Sequence, residues 1–333
     1  LINSSLNTTN MTIRHLLTHT AGVFDHLSSG SEYFSQTLGD PTKVFTNAEM
    51  VAIFARHQQF TPGNGYSYSN GGFYLLGMLI EELTGLSYKE AMEQELTALF
   101  GVPEIIVDDF SSTDNPIYDF AENSRAYEYN KSGVGASGNI VARPVDMARA
   151  VRAAYGDGFL NTSSITAMTT VHSRSSTYGL GTIMINTGGV YAYGHTGTLG
   201  GYKGWVYYIP QYNASIALNA NGYPNSTNWY ALRNDLIAMF GAYLAANTPI
   251  VVEPVFNKEA TTVKNLDLEE LDGGLNPTGV LTQIPANTTL EIEGKITRFS
   301  GQTYAMTYYQ VSYNGQTGFI YAGMDDSSKA GTS

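Results

Sequence analysis

Two short clusters of polar residues carry the side chains best suited to acid–base and acyl-transfer chemistry. The first, Tyr68-Ser69-Asn70, offers a phenol and an amide. A phenol titrates near pH 10 unless cationic neighbours lower its pKa, and an amide can donate and accept hydrogen bonds at once. The second, His195-Thr196-Gly197 with Thr198 after it, lies on a predicted strand, where a glycine lets an extended substrate approach the main chain. Together the clusters indicate proton transfer beside a strand that binds substrate.

Both clusters belong to an ordered set of motifs. The set begins with Met11–Gly22, whose sequence is MTIRHLLTHTAG, and continues through Phe60–Gly63, Tyr66–Asn70 and the Gly133–Gly138 region to Tyr193–Gly201. This order and spacing resemble the serine β-lactamase, DD-peptidase and esterase family, of class C β-lactamase-like, penicillin-binding type. The resemblance spans roughly residues 11 to 246.

The resemblance implies a role for each motif. In this family a serine nucleophile shares its activation with a lysine one helical turn later and with the tyrosine of a Tyr-x-Asn loop. Tyr68 is then the candidate base or proton relay, and Asn70 the amide that meets substrate and lysine. The Thr198 amide is implied as one oxyanion-hole donor. The alternatives are a core tyrosine for Tyr68 and a helix N-cap for Asn70.

His195 departs from the family pattern, because many relatives carry lysine there. Histidine weakens the fixed positive charge that would hold a substrate carboxylate at pH 7. Esters and D-amino-acid amides therefore stay open as substrates beside peptides and β-lactams.

The motif that supplies the nucleophile does not occur in the printed sequence. Three residues before each of the lysines stands a residue other than serine, so there is no Ser-x-x-Lys. Three explanations remain open. In the first, an N-terminal fragment that carries Ser-x-x-Lys is cleaved but stays bound. In the second, the residues that carry this motif are not part of the printed sequence. In the third, the protein is an inactive surface or assembly protein built on this fold. Because both clusters are present together, we favour an active parent enzyme.

Other chemistries find little support. His15 and His19 are four apart on a presumed helix, but no glutamate stands between them in the protease arrangement, so packing and hydrogen bonding are the expected roles. His26, His57 and His172 form no recognisable constellation. The absence of cysteine removes Cys-based zinc sites and iron–sulfur clusters. The resemblance to serine hydrolases that work through an acyl-enzyme implies that neither a metal nor an organic cofactor is needed.

Composition indicates an exported globular protein. Apolar residues make up 43% of the 333 residues and charged residues 14%, and the net charge of −12 argues against nucleic acid as a partner. No apolar run is long enough to span a bilayer. The first residue is leucine, which predicts a longer precursor, and eight N-x-S/T sequons predict an extracellular or cell-surface glycoprotein. The sequons are at Asn3, Asn7, Asn10, Asn130, Asn161, Asn213, Asn225 and Asn287.

The elements that must position the two clusters follow from periodicity. Capping boxes at Thr46 and Ser87, Pro144 as a first-turn proline and a stripe ending at Gly85 predict helices. Strands are predicted over 178–185, 190–193, 201–209 and 215–219, and a closing amphipathic helix over Trp229–Ala246. The fold class is therefore α/β or α+β, with an antiparallel sheet flanked by helices in residues 1–247.

A second region follows a predicted linker at 248–255. Residues 256–333 are rich in short strands, and Asn314-Gly315 is a strong hairpin signal. The segment Tyr308–Ile320 is similar to the closing strands of bacterial SH3-like domains. This similarity implies a module that binds a cell-wall or surface polymer. The alternative is a small β domain that packs on the first.

Overall fold

The chain divides into two compact units. The first comprises residues 1–184, 193–208 and 215–230, and the second comprises 185–192, 209–214 and 231–333. The computed structural model describes residues 6–100, 105–107, 118–119, 124–125, 130–199, 202–221, 226–247, 253–261, 265–271, 277–300 and 304–326.

Local capping signals place the helix ends where the sequence predicts them. The Glu49 carboxylate accepts from the Thr46 amide while the Thr46 hydroxyl accepts from the Glu49 amide, and Gly85 ends its helix with a left-handed φ of 69°. The α-helices in the described residues are α1 Ile13–Leu17, α2 Glu32–Gly39, α3 Asn47–Arg56, α4 Asn70–Thr84, α5 Tyr88–Phe100, α6 Pro144–Tyr155, α7 Thr162–Thr169 and α8 Ser226–Asn247.

Within the described residues the strands form four sheets with antiparallel pairing. Two of these are two-stranded, one has the order β5-β6-β7-β8 and one the order β11-β10-β14-β13-β12-β9. The strands are β1 Ile106–Val107, β2 Tyr118–Asp119, β3 Ser124–Arg125, β4 Ile140–Val141, β5 Ile183–Thr187, β6 Val190–Leu199, β7 Tyr202–Ile209, β8 Ala214–Asn221, β9 Glu253–Thr261, β10 Leu266–Leu271, β11 Pro277–Ile284, β12 Thr289–Ser300, β13 Tyr304–Tyr313 and β14 Gln316–Asp326.

Strand β6 carries the second polar cluster and pairs with β7. His195 lies opposite Val206, Thr196 opposite Trp205 and Gly197 opposite Gly204. Because side chains alternate between the faces of a sheet, Thr196 shares its face with the fully buried Trp205. The burial of Trp205 therefore fixes the position of β6, which carries the second polar cluster.

The helical side of the first unit has its own apolar core. Met50, Ile53 and Phe54 of α3 pack with Tyr74 of α4, and all four are at most 5% exposed. Burial of such side chains contributes roughly 1.5–3 kcal/mol each. The core thus holds α4, whose first residue is Asn70, at a defined position.

The second unit contains a six-stranded antiparallel sheet built on its own core. Leu268, Ile284 and Val311 are fully buried there. The predicted hairpin is confirmed: Tyr313 pairs with Gln316, and Asn314 and Gly315 both have positive φ, as a two-residue turn of this kind requires. The SH3-like resemblance stays a prediction.

The predicted fold class is confirmed, since antiparallel sheets are flanked by helices. One expectation about α1 was wrong. His19 lies beyond the end of α1, with a left-handed φ of 57°, so it does not share that helix with His15. The closing helix, predicted over Trp229–Ala246, extends over Ser226–Asn247. Among the described residues, no helix is both long enough and apolar enough to cross a membrane.

Candidate active site

The Tyr68-Ser69-Asn70 cluster forms the entry into helix α4. The Ser69 hydroxyl accepts from the Gly72 amide at 3.2 Å and donates to the Phe24 carbonyl at 3.2 Å, so Ser69 is the N-cap. The alternative prediction that Asn70 caps this helix was wrong, because Asn70 is its first helical residue. The cap leaves the Asn70 side chain for other contacts.

Asp25 orients the Asn70 side chain. Its Oδ1 accepts from the Asn70 backbone amide at 3.2 Å and from Nδ2 at 2.9 Å. A carboxylate only accepts, so the amide nitrogen faces Asp25 and the amide oxygen is directed elsewhere as an acceptor. The negative charge also lies at the N-terminus of α4, where the helix dipole favours it.

Tyr68 is a neutral phenol in this structure. Its side chain is 41% exposed, yet burial of part of the ring and then the negative charge of Asp25 raise its pKa to about 12. Tyr66 and Tyr230 act in the same direction, and no cation in the described part of the chain is among the groups that shift it. Tyr68 is therefore ready to donate a proton at pH 7, and a cation beside it is required before it can act as a phenolate base.

His195 uses both of its ring nitrogens within the protein. Nδ1 lies 2.6 Å from the Thr196 carbonyl oxygen, which can only accept, so Nδ1 carries the proton. Burial lowers the His195 pKa, and in the neutral ring Nε2 accepts from the Tyr178 hydroxyl at 3.0 Å. Burial also raises the pKa of Tyr178, which is 4% exposed and stays protonated. His195 thus presents no fixed positive charge.

The tertiary structure brings the two clusters together around Tyr178. The Tyr68 ring centroid lies 6.1 Å from that of Tyr178, nearly perpendicular, and 6.4 Å from that of His195. A phenol, an oriented amide and an open strand therefore share one site. This is an arrangement that can move a proton beside a carbonyl bound along the strand.

Two glycines on β6 have different reasons for lacking a side chain. A Cβ on Gly194 would lie 1.9 Å from the Val206 carbonyl oxygen, so packing against β7 excludes any other residue. A Cβ on Gly197 would meet no atom of the described residues within 4 Å, and both Gly197 and Thr198 are exposed. The open space at Gly197 is where a substrate backbone could lie.

Three other histidines, His15, His26 and His57, each have a hydrogen-bond or ion-pair partner outside the candidate site. His15 Nδ1 accepts from the Thr12 amide at 3.3 Å, His26 Nε2 donates to the Gly133 carbonyl at 2.7 Å and His57 pairs with Glu32 at 3.0 Å. No group of three or more potential metal-ligating side chains occurs in the part of the chain that the structure describes.

Sequence reasoning missed Asp25 and Tyr178. Both touch predicted site residues, but neither stands within the two clusters. Tyr178 precedes a Gly-Leu-Gly turn and was assigned to a strand, whereas only its isolated bridge to Ile183 is strand-like. Their roles depend on contacts between distant segments, which no local pattern reports.

Comparison with known proteins gives a family and several relatives. The family described as Beta-lactamase matches residues 5–238. Penicillin-binding protein 4* of Bacillus subtilis (strain 168) is 26% identical over 202 residues, which are 53% of this chain and 44% of that protein. The match thus spans less than half of that relative's length.

Solved structures agree on the fold. A D-stereospecific amidohydrolase from Streptomyces sp. is 27% identical with a TM-score of 0.55, over 63% of this chain and 68% of that chain. The D-amino acid amidase of Ochrobactrum anthropi SV3, solved with L-phenylalanine amide, has a TM-score of 0.59 at 20% identity, over 72% and 74% of the two chains. At 20% identity the second likeness supports the fold alone.

Proposed function

The chain belongs to the beta-lactamase family, and from that premise we propose that the protein is a serine hydrolase that works through an acyl-enzyme. The proposed substrates are D-amino-acid amides and peptides, β-lactams and small esters. The observation that carries the proposal is the convergence of Tyr68 and the His195 strand on one site around Tyr178. The substrates of the related amidases, as their names give them, point the same way.

In the proposed reaction a serine hydroxyl attacks the substrate carbonyl and the amine or alcohol leaves with a proton. Water then attacks the ester that joins acyl group and serine, which releases the acid and restores the serine. Tyr68, protonated in the resting state because its pKa is about 12, donates the proton to the leaving group or relays it. Asn70, oriented by Asp25, presents its amide oxygen to a cation.

Strand β6 binds the substrate in this proposal. The Thr198 amide is one oxyanion donor, and the amide of the nucleophile is the other. Gly197, which has no neighbour among the described residues within 4 Å of a would-be Cβ, leaves room for the substrate main chain. Thr196 is held by the pairing with Trp205 and keeps the strand in register.

The neutral His195 favours substrates that have no carboxylate next to this histidine. Both ring nitrogens are occupied and burial lowers the pKa, so no histidine cation is available near pH 7. Lys203, the cross-strand neighbour of Thr198, is only 5% exposed. We expect a D-amino acid amide to be hydrolysed at least about tenfold faster, by kcat/KM, than the matching dipeptide with a free carboxylate. Equal rates on both substrates would contradict this preference.

We further propose that the nucleophile resides on an N-terminal fragment or segment that carries Ser-x-x-Lys. Nothing among the described residues supplies the cation that would lower the Tyr68 pKa, and a lysine one turn after the serine is a group of that kind. Mass spectrometry of the intact protein from its native source tests this, because a Ser-x-x-Lys peptide must be recovered with it.

Covalent labelling tests the function directly. The full-length protein is treated with a fluorophosphonate probe and a fluorescent β-lactam and then separated under denaturing conditions. A labelled band that is weaker in Tyr68→Phe supports the proposal. A folded full-length protein that neither probe labels overturns it, and an inactive surface or assembly protein becomes the better interpretation.

The second region is proposed to retain the enzyme outside the cell. Residues 256–333 would bind a cell-wall or surface polymer, in keeping with the SH3-like similarity of Tyr308–Ile320 and with the eight sequons of the whole chain, which predict an extracellular protein. Retention of the protein on isolated cell envelopes, lost when these residues are removed, supports this role. Equal retention with and without them contradicts it.

A further inference from the structure

His19 occupies an unfavourable position at the base of the candidate site. It is 2% exposed and has a left-handed φ of 57°, a conformation uncommon outside glycine, although asparagine, aspartate and histidine adopt it more often than other residues. Its Nε2 is buried and has no hydrogen-bond partner among the residues that the structure describes. The positive φ belongs to a Schellman-type end of α1, in which the His19 amide donates to the Leu16 carbonyl at 3.3 Å and the Thr20 amide to the His15 carbonyl at 2.9 Å. Glycine usually fills this position, so the buried imidazole with its unpaired nitrogen calls for a further explanation.

His19 accepts a hydrogen bond from each of the two residues that flank Tyr68. The His19 carbonyl accepts from the Ser67 amide at 3.0 Å, and its Nδ1 accepts from the Ser69 amide at 3.1 Å. These are the residues immediately before and after the phenol. The backbone on both sides of Tyr68 is therefore attached to one residue, and we call this pair of bonds the His19 clamp.

The His19 ring also contacts the phenol itself. Its centroid lies 4.2 Å from that of Tyr68 and 4.6 Å from that of Tyr178, with Phe73 at 5.4 Å. Aromatic pairs at this separation are attractive beyond their buried area. The imidazole therefore supports the Tyr68 ring and connects it to the tyrosine that bonds His195.

The clamp requires a neutral imidazole with its proton on Nε2. A backbone amide only donates, so Nδ1 must be the acceptor and Nε2 the unpartnered N–H. Burial, with the nearby His195 as a second cause, lowers the pKa of His19 to about 3, which keeps this form dominant at neutral pH. A side chain without an acceptor at the Nδ1 position cannot make the second bond.

We propose that His19 is the positioning residue for the Tyr68 phenol, because the clamp and the ring contact together hold the phenol at the site. This rests on the proposed function for its chemical meaning, although the clamp itself can be measured without catalysis. Displacement of a reacting group by about 1 Å costs on the order of 100-fold in rate.

Two substitutions separate the acceptor from the backbone conformation. His19→Asn and His19→Gly both tolerate a positive φ, but only asparagine places an acceptor near the Nδ1 position. Both variants of the full-length protein are examined by amide hydrogen exchange at Ser67 and Ser69. The Ser67 amide is the internal control, because its acceptor is a backbone carbonyl that every variant retains.

In His19→Gly we expect Ser69 exchange to accelerate at least about tenfold relative to Ser67, and in His19→Asn to stay closer to wild type. With an amide substrate, kcat in His19→Gly should fall about 10- to 100-fold while KM changes less than about twofold, since His19 is only 2% exposed. His19→Asn should recover part of kcat. If kcat and Ser69 exchange are unchanged in His19→Gly, the proposal is wrong.

The two proposals fail in different ways. If the wild-type protein is never acylated, the proposed function falls, and Ser69 exchange alone then decides whether His19 holds the Tyr68 loop. If the wild type is acylated and His19→Gly turns over normally, only the positioning role falls.

Discussion

His19 and His26 belong to the same segment between α1 and α2, and both are at most 2% exposed. His19 accepts from the Ser69 amide beside Tyr68, whereas His26 donates to the Gly133 carbonyl and packs among Tyr33, Phe54 and Tyr74. In each ring one nitrogen has no hydrogen-bond partner within the described part of the chain, Nε2 in His19 and Nδ1 in His26. The same side chain at the same depth therefore serves the site in one place and the core in the other, and the backbone group that it meets decides which.

Low pH should reduce the free energy of unfolding through both His19 and His26, and this is the largest effect that we expect. Burial lowers the pKa to about 3 for His19 and about 4 for His26, from 6.5 in an unfolded chain. The unfolded state therefore takes up protons first, so stability is complete above pH 6.5 and is lost as the pH falls towards 4. Each histidine contributes roughly 1.4 kcal/mol per pH unit within that window.

Denaturant unfolding at several pH values between 7 and 4 measures this slope. The variant His26→Gln, which does not titrate, should lose about half of the contribution from the two histidines. A stability that stays level from pH 7 to pH 5 would show that the two imidazoles are not held neutral.

Removal of one hydroxyl in each region should separate an effect on acylation from an effect on stability. Tyr68→Phe should lower the acylation rate at least about 100-fold with little change in stability, because the lost group moves a proton. Tyr74→Phe loses a 2.7 Å hydrogen bond to Asn47 and should cost about 1 kcal/mol of stability with acylation unchanged. Labelling rates and urea unfolding of both variants give the comparison. Equal acylation by the two variants would remove Tyr68 from the mechanism.

Asparagine should be the better replacement at His19 and glutamine the better one at His26. These are the smallest effects that we expect. The His26 donor is Nε2, which glutamine can imitate, whereas asparagine resembles Nδ1 and leaves the Gly133 carbonyl unpaired. His26→Asn should therefore cost about 1–3 kcal/mol and His26→Gln about 1 kcal/mol less. Thermal and urea unfolding measure both. Better rescue by asparagine at His26 would mean that the ring orientation assigned there is wrong.

The local elements of this fold follow from sequence to a large extent. Capping boxes, Gly85 and the Asn314-Gly315 turn depend on residues close in the chain, so their chemistry acts before any tertiary contact forms. The end of α1 was missed, because its Schellman-type ending usually has glycine at the left-handed position, whereas here that residue is His19, whose amide donates to the Leu16 carbonyl at 3.3 Å.

The candidate site divides along the same line. The identities of Tyr68, Asn70, His195 and Gly197 are visible in the sequence because the proposed chemistry demands those residue types at fixed spacing. Asp25 and Tyr178 carry no such signal, because their contacts with Asn70 and His195 join separate segments of the chain.

Sequence alone determined the family pattern, the fold class and the two clusters of polar residues, because each depends on residue type and short-range spacing. Only the tertiary structure decided that Tyr68 is a neutral phenol, that His195 is a neutral ring with both nitrogens occupied and that His19 encloses the phenol. Burial and hydrogen-bond partners set protonation states, and both come from segments that meet only when the chain has folded.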